Sequence, residues 1–282
     1  MKNKNLWWTK VLCLLGVVMT LTGCGSSKDK LRVAATSVPH AEMLEAIKPQ
    51  LAKQGIDLEV VVVDDFHIPN RALAEKEVDA NFFQHRPYLE VENENFHYNL
   101  VSYQKVHIEP MGLYSKKLKD LNDVGDRLLV AIPSDPTNQS RALALLQQLG
   151  WIKLDSSSKW LTCSILDITE KRAGLELVEV DAALLARSLD DVDLAAITTN
   201  FILQARLPIK PLYIENADSP FANVLVIRQG EENNKDLIAL KQALTSPEME
   251  QFILSHYQGS VLPVFESTTK LSTTDVVTSS KE

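Results

Sequence analysis

Nowhere does this chain of 282 residues hold the run of roughly twenty apolar residues that a membrane-spanning helix needs. The stretch Val11–Leu21 is apolar but counts only eleven residues. Cysteine is scarce: of the three, Cys13, Cys24 and Cys163, no set makes a disulfide framework, and a domain this large has no need of one. Cys163 is therefore expected as a small buried apolar residue. Basic residues are outnumbered, 29 against 37 acidic, and the formal net charge of −8 argues against nucleic acid and against charge-driven docking on anionic lipid. The short catalytic signatures G-x-S-x-G, H-E-x-x-H, the Walker loop and G-x-G-x-x-G are missing. That removes motif evidence for an enzyme, although a triad assembled from distant positions stays open. The six histidines, His40, His67, His85, His97, His107 and His256, show no ligand-like spacing, so no metal site is expected. No internal repeat is found.

What is present is an ordinary globular balance, 45% apolar and 23% charged, in a chain long enough for two cores. Lys2, Lys4 and Lys10 precede the apolar run, which ends in Leu21-Thr22-Gly23-Cys24. A basic segment, a short apolar segment and that tetrapeptide resemble a bacterial lipoprotein signal with its lipobox. The expectation is a signal peptide over 1–23, lipidation at Cys24 and a flexible tether over 24–30 (Cys-Gly-Ser-Ser-Lys-Asp-Lys). Loss of residues 1–23, with three lysines and no acid, takes the net charge from −8 to −11. The link to a membrane is then covalent, and the place is the bacterial cell envelope, facing the periplasm or the exterior. Inner and outer membrane are left open.

Beyond the tether, strand and helix patterns alternate, which predicts an α/β protein with mostly parallel sheets. Strands are expected at Leu31–Ala35, Leu58–Val63, Val78–Phe83, Leu128–Ile132, Leu175–Val180, Leu194–Ile197 and Val224–Ile227. Helices are expected at Pro39–Lys53, Asn70–Lys76, Arg86–Asn95, Asp181–Leu189, Thr199–Ala205, Asn234–Leu244 and Pro247–His256. The stretch Pro133–Gln147 carries the most information. Ala142, Leu145, Leu146 and Leu149 recur at i, i+3, i+4, i+7 as one helical stripe, with Asp135 at the N-cap and Pro136 at the first helical position. A helix N-terminus entered from a strand suits an anion, and Arg141 lies beside the stripe, where a guanidinium can fork onto a carboxylate. A surface arginine on an ordinary helix is the competing explanation. The Ser/Thr-rich tail 266–282 has no apolar period and is expected to be disordered.

Several segments together resemble the methionine-binding lipoproteins of ABC importers, the NlpA-type lipoproteins. They are Val33–Leu44, Asp79–Leu89 with Phe83-Gln84-His85-Arg86-Pro87-Tyr88-Leu89, Pro133–Gln147 with Asp135-Pro136-Thr137-Asn138, Arg187–Asp191, Thr199–Phe201 and Asp218–Val226. The resemblance runs from about Leu31 to Phe265. It implies a two-lobed periplasmic-binding-protein-like fold of type II, each lobe a mostly parallel sheet flanked by helices, with the ligand cleft between lobes. Residues 31–109 and 222–265 would form lobe I and 110–221 lobe II, joined near Glu109–Gly112 and Asn216–Asn223. It implies no enzyme, no cofactor and no metal. The implied ligand is an amino acid, L-methionine or a similar one, and the implied partners are the permease and ATPase subunits of an importer. By the match Arg141 takes the ligand's carboxylate, Asn200 and Asn223 hold its backbone, and Phe66, Phe83, His85 and Tyr88 line the side-chain pocket. A thioether gains from contact with aromatic edges, and a zwitterion leaving water needs a paired cation and hydrogen bonds.

Some positions depart from the pattern. Thr198 stands where the family often has a first asparagine, Phe66 where it often has tyrosine, and Gln139-Ser140 replace a commoner small pair before Arg141. Phe82 and Phe83 alternate on a strand, so Phe82 is expected in the core and Phe83 in the cleft. Taken singly, His85 is more often structural, and Asn200 and Asn223 are more often turn or cap residues. A methionyl dipeptide, another apolar amino acid, a metal ion, an exported enzyme and a family member kept for envelope structure all stay open here.

Overall fold

The computed structural model describes residues 30–216 and 220–265. The expected signal peptide, Cys24, most of the tether, Asp218 and the tail 266–282 lie outside the described residues. The chain opens with β1 (Leu31–Thr36), a short turn of helix over Ser37–Ala41 and α1 (Glu42–Lys53). β2 (Leu58–Val63), α2 (Ile68–Ala74), β3 (Ala80–His85), α3 (Arg86–Phe96) and β4 (Leu100–Ile108) follow. Glu109 and Pro110 lead from β4 into β5 (Met111–Tyr114), the first strand of a second sheet. That sheet adds β6 (Leu128–Pro133), followed by α4 (Pro136–Gln148) and a hairpin of β7 (Ile152–Leu154) and β8 (Ile168–Lys171). Then come β9 (Leu175–Val180), α5 (Leu185–Ser188), β10 (Leu194–Thr198), α6 (Thr199–Gln204) and β11 (Tyr213–Ile214). A second crossing returns the chain to the first sheet as β12 (Ala222–Arg228), and α7 (Lys235–Leu244), α8 (Pro247–Tyr257) and β13 (Leu262–Pro263) complete it.

The first sheet has the order β13-β4-β12-β3-β1-β2 and the second β11-β5-β10-β6-β9. The expected parallel pairing holds where helices connect the strands: β1 with β2 and β3, and β6 with β9 and β10. The rest of each sheet is antiparallel, because β12 returns between β3 and β4, and because β5 pairs with both β10 and β11. The sheets are thus mixed rather than mostly parallel.

Each sheet is covered on both faces. Met43, Leu44, Ile47 and Leu51 of α1 pack with Leu237, Leu240 and Leu244 of α7 and with Ile253 of α8 on one face of the first sheet. Leu73 and Leu89 cover its other face. In the second sheet α4 lays Ala142, Leu143, Leu145 and Leu146 on β6, while Leu185 and Phe201 cover the opposite side. Each buried leucine contributes roughly 1.5–3 kcal/mol, so these stripes hold the helices to their sheets. Phe82 is fully buried in the first core and Cys163 is buried in the second, both as expected.

Some elements differ from the sequence reading. The helix expected from Pro39 starts at Glu42, because Val38 is extended and only a short turn surrounds Pro39. The helix expected over Asp181–Leu189 breaks into a turn at Ala182–Leu184 and the four residues of α5. The hairpin β7–β8 and the strands β11 and β13 carry too few residues to show a period, and pairing with partners defines them.

Candidate functional site

The α4 stretch folds as its sequence dictates. The Asp135 carboxylate accepts from the Asn138 amide at 3.0 Å and caps the helix, and Pro136 occupies its first turn. Residues 137–143 are all buried, since this end of α4 is covered by its own sheet on one side and by elements of the first sheet on the other. Arg141 is therefore 3% exposed rather than a surface residue.

Its charge is compensated. The Arg141 Nε donates to both Glu215 carboxylate oxygens at 3.0 Å, and Nη2 donates to Glu215 at 2.5 Å and to the Glu109 carbonyl at 2.8 Å. The guanidinium lies 4.5 Å from the centre of the Phe221 ring. Glu215 is itself held by the Met111 amide, which donates to it at 2.9 Å. Arg141 thus ties together the two crossings of the chain between the sheets, through Glu109 in one and Glu215 in the other. The fork formed by Nε and Nη2 is occupied, and Nη1 makes no hydrogen bond among the described residues.

Phe66, Phe83, His85, Tyr88, Arg141, Asn200 and Asn223 all line one cavity, together with Gln84, Glu109, Asn138 and Thr198. Residues 66–109 and Asn223 come from the first sheet and its connections, while Asn138, Arg141, Thr198 and Asn200 come from the second. The Asn200 Oδ1 accepts from the Thr198 hydroxyl at 2.6 Å, whereas its Nδ2 is buried with no hydrogen-bond partner. A buried amide donor without an acceptor is costly, about 1–3 kcal/mol, unless something fills the site. Phe66 sits at the aromatic centre, its ring 5.8 Å from Phe83, 5.9 Å from Tyr88 and 5.3 Å from Phe201, while the Tyr88 hydroxyl donates to its carbonyl at 3.2 Å. Free volume in the cavity is only about 20 Å³, room for about one water. Phe66 and Tyr88 also wall a neighbouring cavity of about 210 Å³, lined further by Asp65, His67, Glu92, Asp135, Asp181 and Phe201.

His85 bonds to both sides. Its Nδ1 accepts from the Tyr88 amide at 3.1 Å, capping α3, and its Nε2 faces Asn138 Oδ1 at 3.1 Å on α4. Burial, with Arg141 nearby and despite the hydrogen bond to Asn138, lowers its pKa to about 3, so the ring is neutral. Behind β3, Asn70, Asn81 and Gln84 bond one another through their side-chain amides and fix the strand end that presents Phe83 and His85. Nothing in the spacing of the three amides announces this cluster.

Sequence reasoning also missed the polar floor. Glu109 is 4% exposed and lines the cavity, with His107 and His40 behind it, both fully buried. Its Oε1 lies 2.6 Å from His107 Nε2 and 3.2 Å from His40 Nε2. The His40 ring also faces Asn223 Oδ1 at 3.3 Å and Thr36 Oγ1 at 2.7 Å. The two histidines, without ligand-like spacing in the sequence, are brought together with Glu109 by the fold. The contact at 2.6 Å is a hydrogen bond, too close for atoms that share an ion about 2 Å from each. Burial outweighs the pull of Glu109 and lowers His40 to about 4, and burial lowers His107 to about 3, so both rings are neutral donors at Nε2. Burial likewise raises Glu109 to about 7, against the opposing pull of His40 and Arg141.

The sequence profile of the NlpA lipoprotein family matches residues 31–265. A methionine-binding lipoprotein MetQ of Bacillus subtilis is 38% identical over 273 residues, covering 93% of this chain and all of that protein. A D-methionine-binding lipoprotein MetQ of Salmonella typhi is 35% identical, covering 86% of this chain and 93% of its own. Among solved structures, a nutrient-binding protein of Burkholderia cenocepacia bound to methionine superposes with a TM-score of 0.80 at 36% identity, over 83% of this chain and all of that one.

Proposed function

Because this chain belongs to the NlpA lipoprotein family, we propose that it is a solute-binding protein that captures a free amino acid, methionine foremost, and delivers it to an ABC importer. It is a binding protein and not an enzyme. One observation carries the reading: a buried arginine, an orphaned amide donor on Asn200 and an aromatic wall converge on one cavity between two sheets. In this reading the ligand's carboxylate meets Arg141 Nη1 and Asn200 Nδ2. Its side chain lies against Phe66, Phe83, Tyr88 and the His85 ring, where a polarizable thioether gains contact with aromatic edges.

The free volume of about 20 Å³ does not admit an amino acid, so the walls part on entry. Phe66 and Tyr88 separate this cavity from the one of about 210 Å³, and movement of Phe66 joins the two. Residues 31–109 and 222–265 act as one lobe and 110–221 as the other, hinged at the two crossings that Arg141 links. Closure of hinged lobes on a ligand is a common switching mode.

No described helix is long and apolar enough to cross a membrane, and the family is envelope-associated. The anchor in our reading is lipid on Cys24, and the permease and ATPase subunits of the importer are the partners. The test is mass spectrometry of small molecules carried through native purification, followed by calorimetry on ligand-free, refolded protein. Methionine in the eluate and saturable binding are the expected result. Turnover of a bound compound, or failure of every amino acid to bind, overturns the reading.

A further inference from the structure

We infer that the outer edge of β4 is the docking site for the residues that follow Phe265, so that 266–271 continue β13 as an antiparallel strand on the first sheet. The inference is independent of the proposed ligand.

Its basis is a sheet edge covered at one end only. Among the described residues β4 pairs with β12 on its inner side from Leu100 to Ile108. On its outer side β13 pairs with Ile108 and His107, and the Val264 amide donates to the Val106 carbonyl at 3.1 Å. Residues 100–105 have no described strand on that side. A row of unpaired N–H and C=O groups at a sheet edge is a template for another strand, and native proteins cover it. Here the edge borders a groove of about 630 Å³. Residues 100–105 form one wall, Arg86, Leu89 and Glu90 of α3 form another, and Val264 lines it too.

The direction of the chain selects the occupant. β13 runs antiparallel to β4, so the chain leaving Phe265 heads along the open edge toward Leu100, and seventeen residues, 266–282, follow it. Continued without a slip, the register of Leu262 on Ile108 and Pro263 on His107 sets Glu266 beside Gln104, Thr268 beside Ser102 and Lys270 beside Leu100. Composition predicts no folded tail, since Ser and Thr offer no apolar face. A strand added to an existing edge draws on backbone hydrogen bonds instead, and threonine suits a strand.

Side-chain chemistry agrees. Val264 faces the groove while Phe265 packs on the first core, so alternation gives Glu266, Thr268 and Lys270 to the α3 side. The Asn93 Nδ2 near the end of α3 donates to the Leu100 carbonyl at 2.8 Å, so α3 runs opposite to β4 and alongside the added strand. Glu266 then falls toward Arg86, and Lys270 toward Glu90 and Asn93. Arg86 and Glu90 now pair with each other at 2.7 Å as exposed side chains, and such a pair is exchanged for new partners at little cost. The Asn93 Oδ1 is buried with no hydrogen-bond partner among the described residues, an acceptor that suits the Lys270 ammonium.

Hydrogen–deuterium exchange on the full chain, and on one ending at Phe265, tests the assignment. In the full chain the amides of 266–271 should exchange about tenfold or more slowly than those of 275–282. Loss of 266–282 should speed exchange of the outward amides of 100–105 by about tenfold or more, with α4 of the other sheet unchanged. Thr268→Pro should reproduce that gain, because the register turns the Thr268 amide toward β4, whereas Ser267→Pro, whose amide points away, should do less. Both variants lie outside the packed cores, so neither puts folding at risk. Exchange in 266–271 as fast as in 275–282, or residues 100–105 indifferent to the truncation, overturns the assignment. Protection of 100–105 that survives truncation and rises with protein concentration, with a dimer in sedimentation, gives the edge to a second copy and overturns it as well.

Discussion

Replacing Arg141 separates its two jobs, the structural pair with Glu215 and the proposed contact with a ligand. Arg141 is 3% exposed and the Glu215 side chain 11%, so Arg141→Met removes the guanidinium from a nearly buried carboxylate that also accepts from the Met111 amide. Breaking a buried ion pair from one side costs about 3–5 kcal/mol. For a domain of this size each kcal/mol is about 2–4 °C, so a fall in Tm of roughly 10 °C is expected. In Arg141→Met/Glu215→Gln the stranded charge is gone and glutamine still accepts from the Met111 amide. This double variant should recover most of the lost stability. Its binding should not recover, because the ligand's carboxylate has lost its cation. With the Nε–Nη2 fork committed to Glu215, Nη1 offers the ligand one charge-assisted bond, about 1.5–3 kcal/mol, or about tenfold to a hundredfold in affinity. Thermal unfolding and methionine calorimetry on the same preparations read both effects. A double variant no more stable than Arg141→Met refutes the account of the pair. Methionine affinity within threefold of wild type in Arg141→Met moves the carboxylate elsewhere.

Three further outcomes are expected. Cys24→Ser should move the protein from the membrane to the soluble fraction, and unchanged fractionation would place the anchor at another residue. Stability should fall as pH drops from 6.5 toward 4: His40, His85 and His107 have folded pKa values below 6.5, so the unfolded chain binds more protons there, worth up to about 1.4 kcal/mol per histidine per pH unit. Glu109, raised to about 7, works in the opposite sense, its contribution being present below its unfolded value and lost as pH rises through 7. Three groups outweigh one, so urea unfolding that is equally costly at pH 6.5 and pH 5 would show that the rings are not neutral inside. Small-angle scattering should register a change in radius of gyration when saturating methionine is added to ligand-free protein, and superimposable profiles would count against hinged lobes.

Local chemistry in the sequence was enough to settle much of the frame. The apolar period of Ala142, Leu145 and Leu146, the Asp135 cap and Pro136 placed α4 within a residue, because capping and amphipathicity act over one or two turns. Strand alternation put Phe82 in the core, and the run of motifs from Val33 to Val226 identified the family. Tertiary structure alone decided the rest. Arg141 meets Glu215 across 74 positions, and no local signal says that a charge at the start of α4 will be covered and need a counter-ion. The return of β12 between β3 and β4 makes the first sheet mixed, and β5 beside β10 and β11 does the same for the second, since pairing is chosen by what lies alongside and not by the strand's own residues. His40, His107 and Glu109 read separately as a histidine in a turn, a strand residue and a linker acid. They meet as one buried polar cluster, His107 hydrogen-bonded to Glu109 and His40 3.2 Å from the same oxygen, only where the fold brings them together.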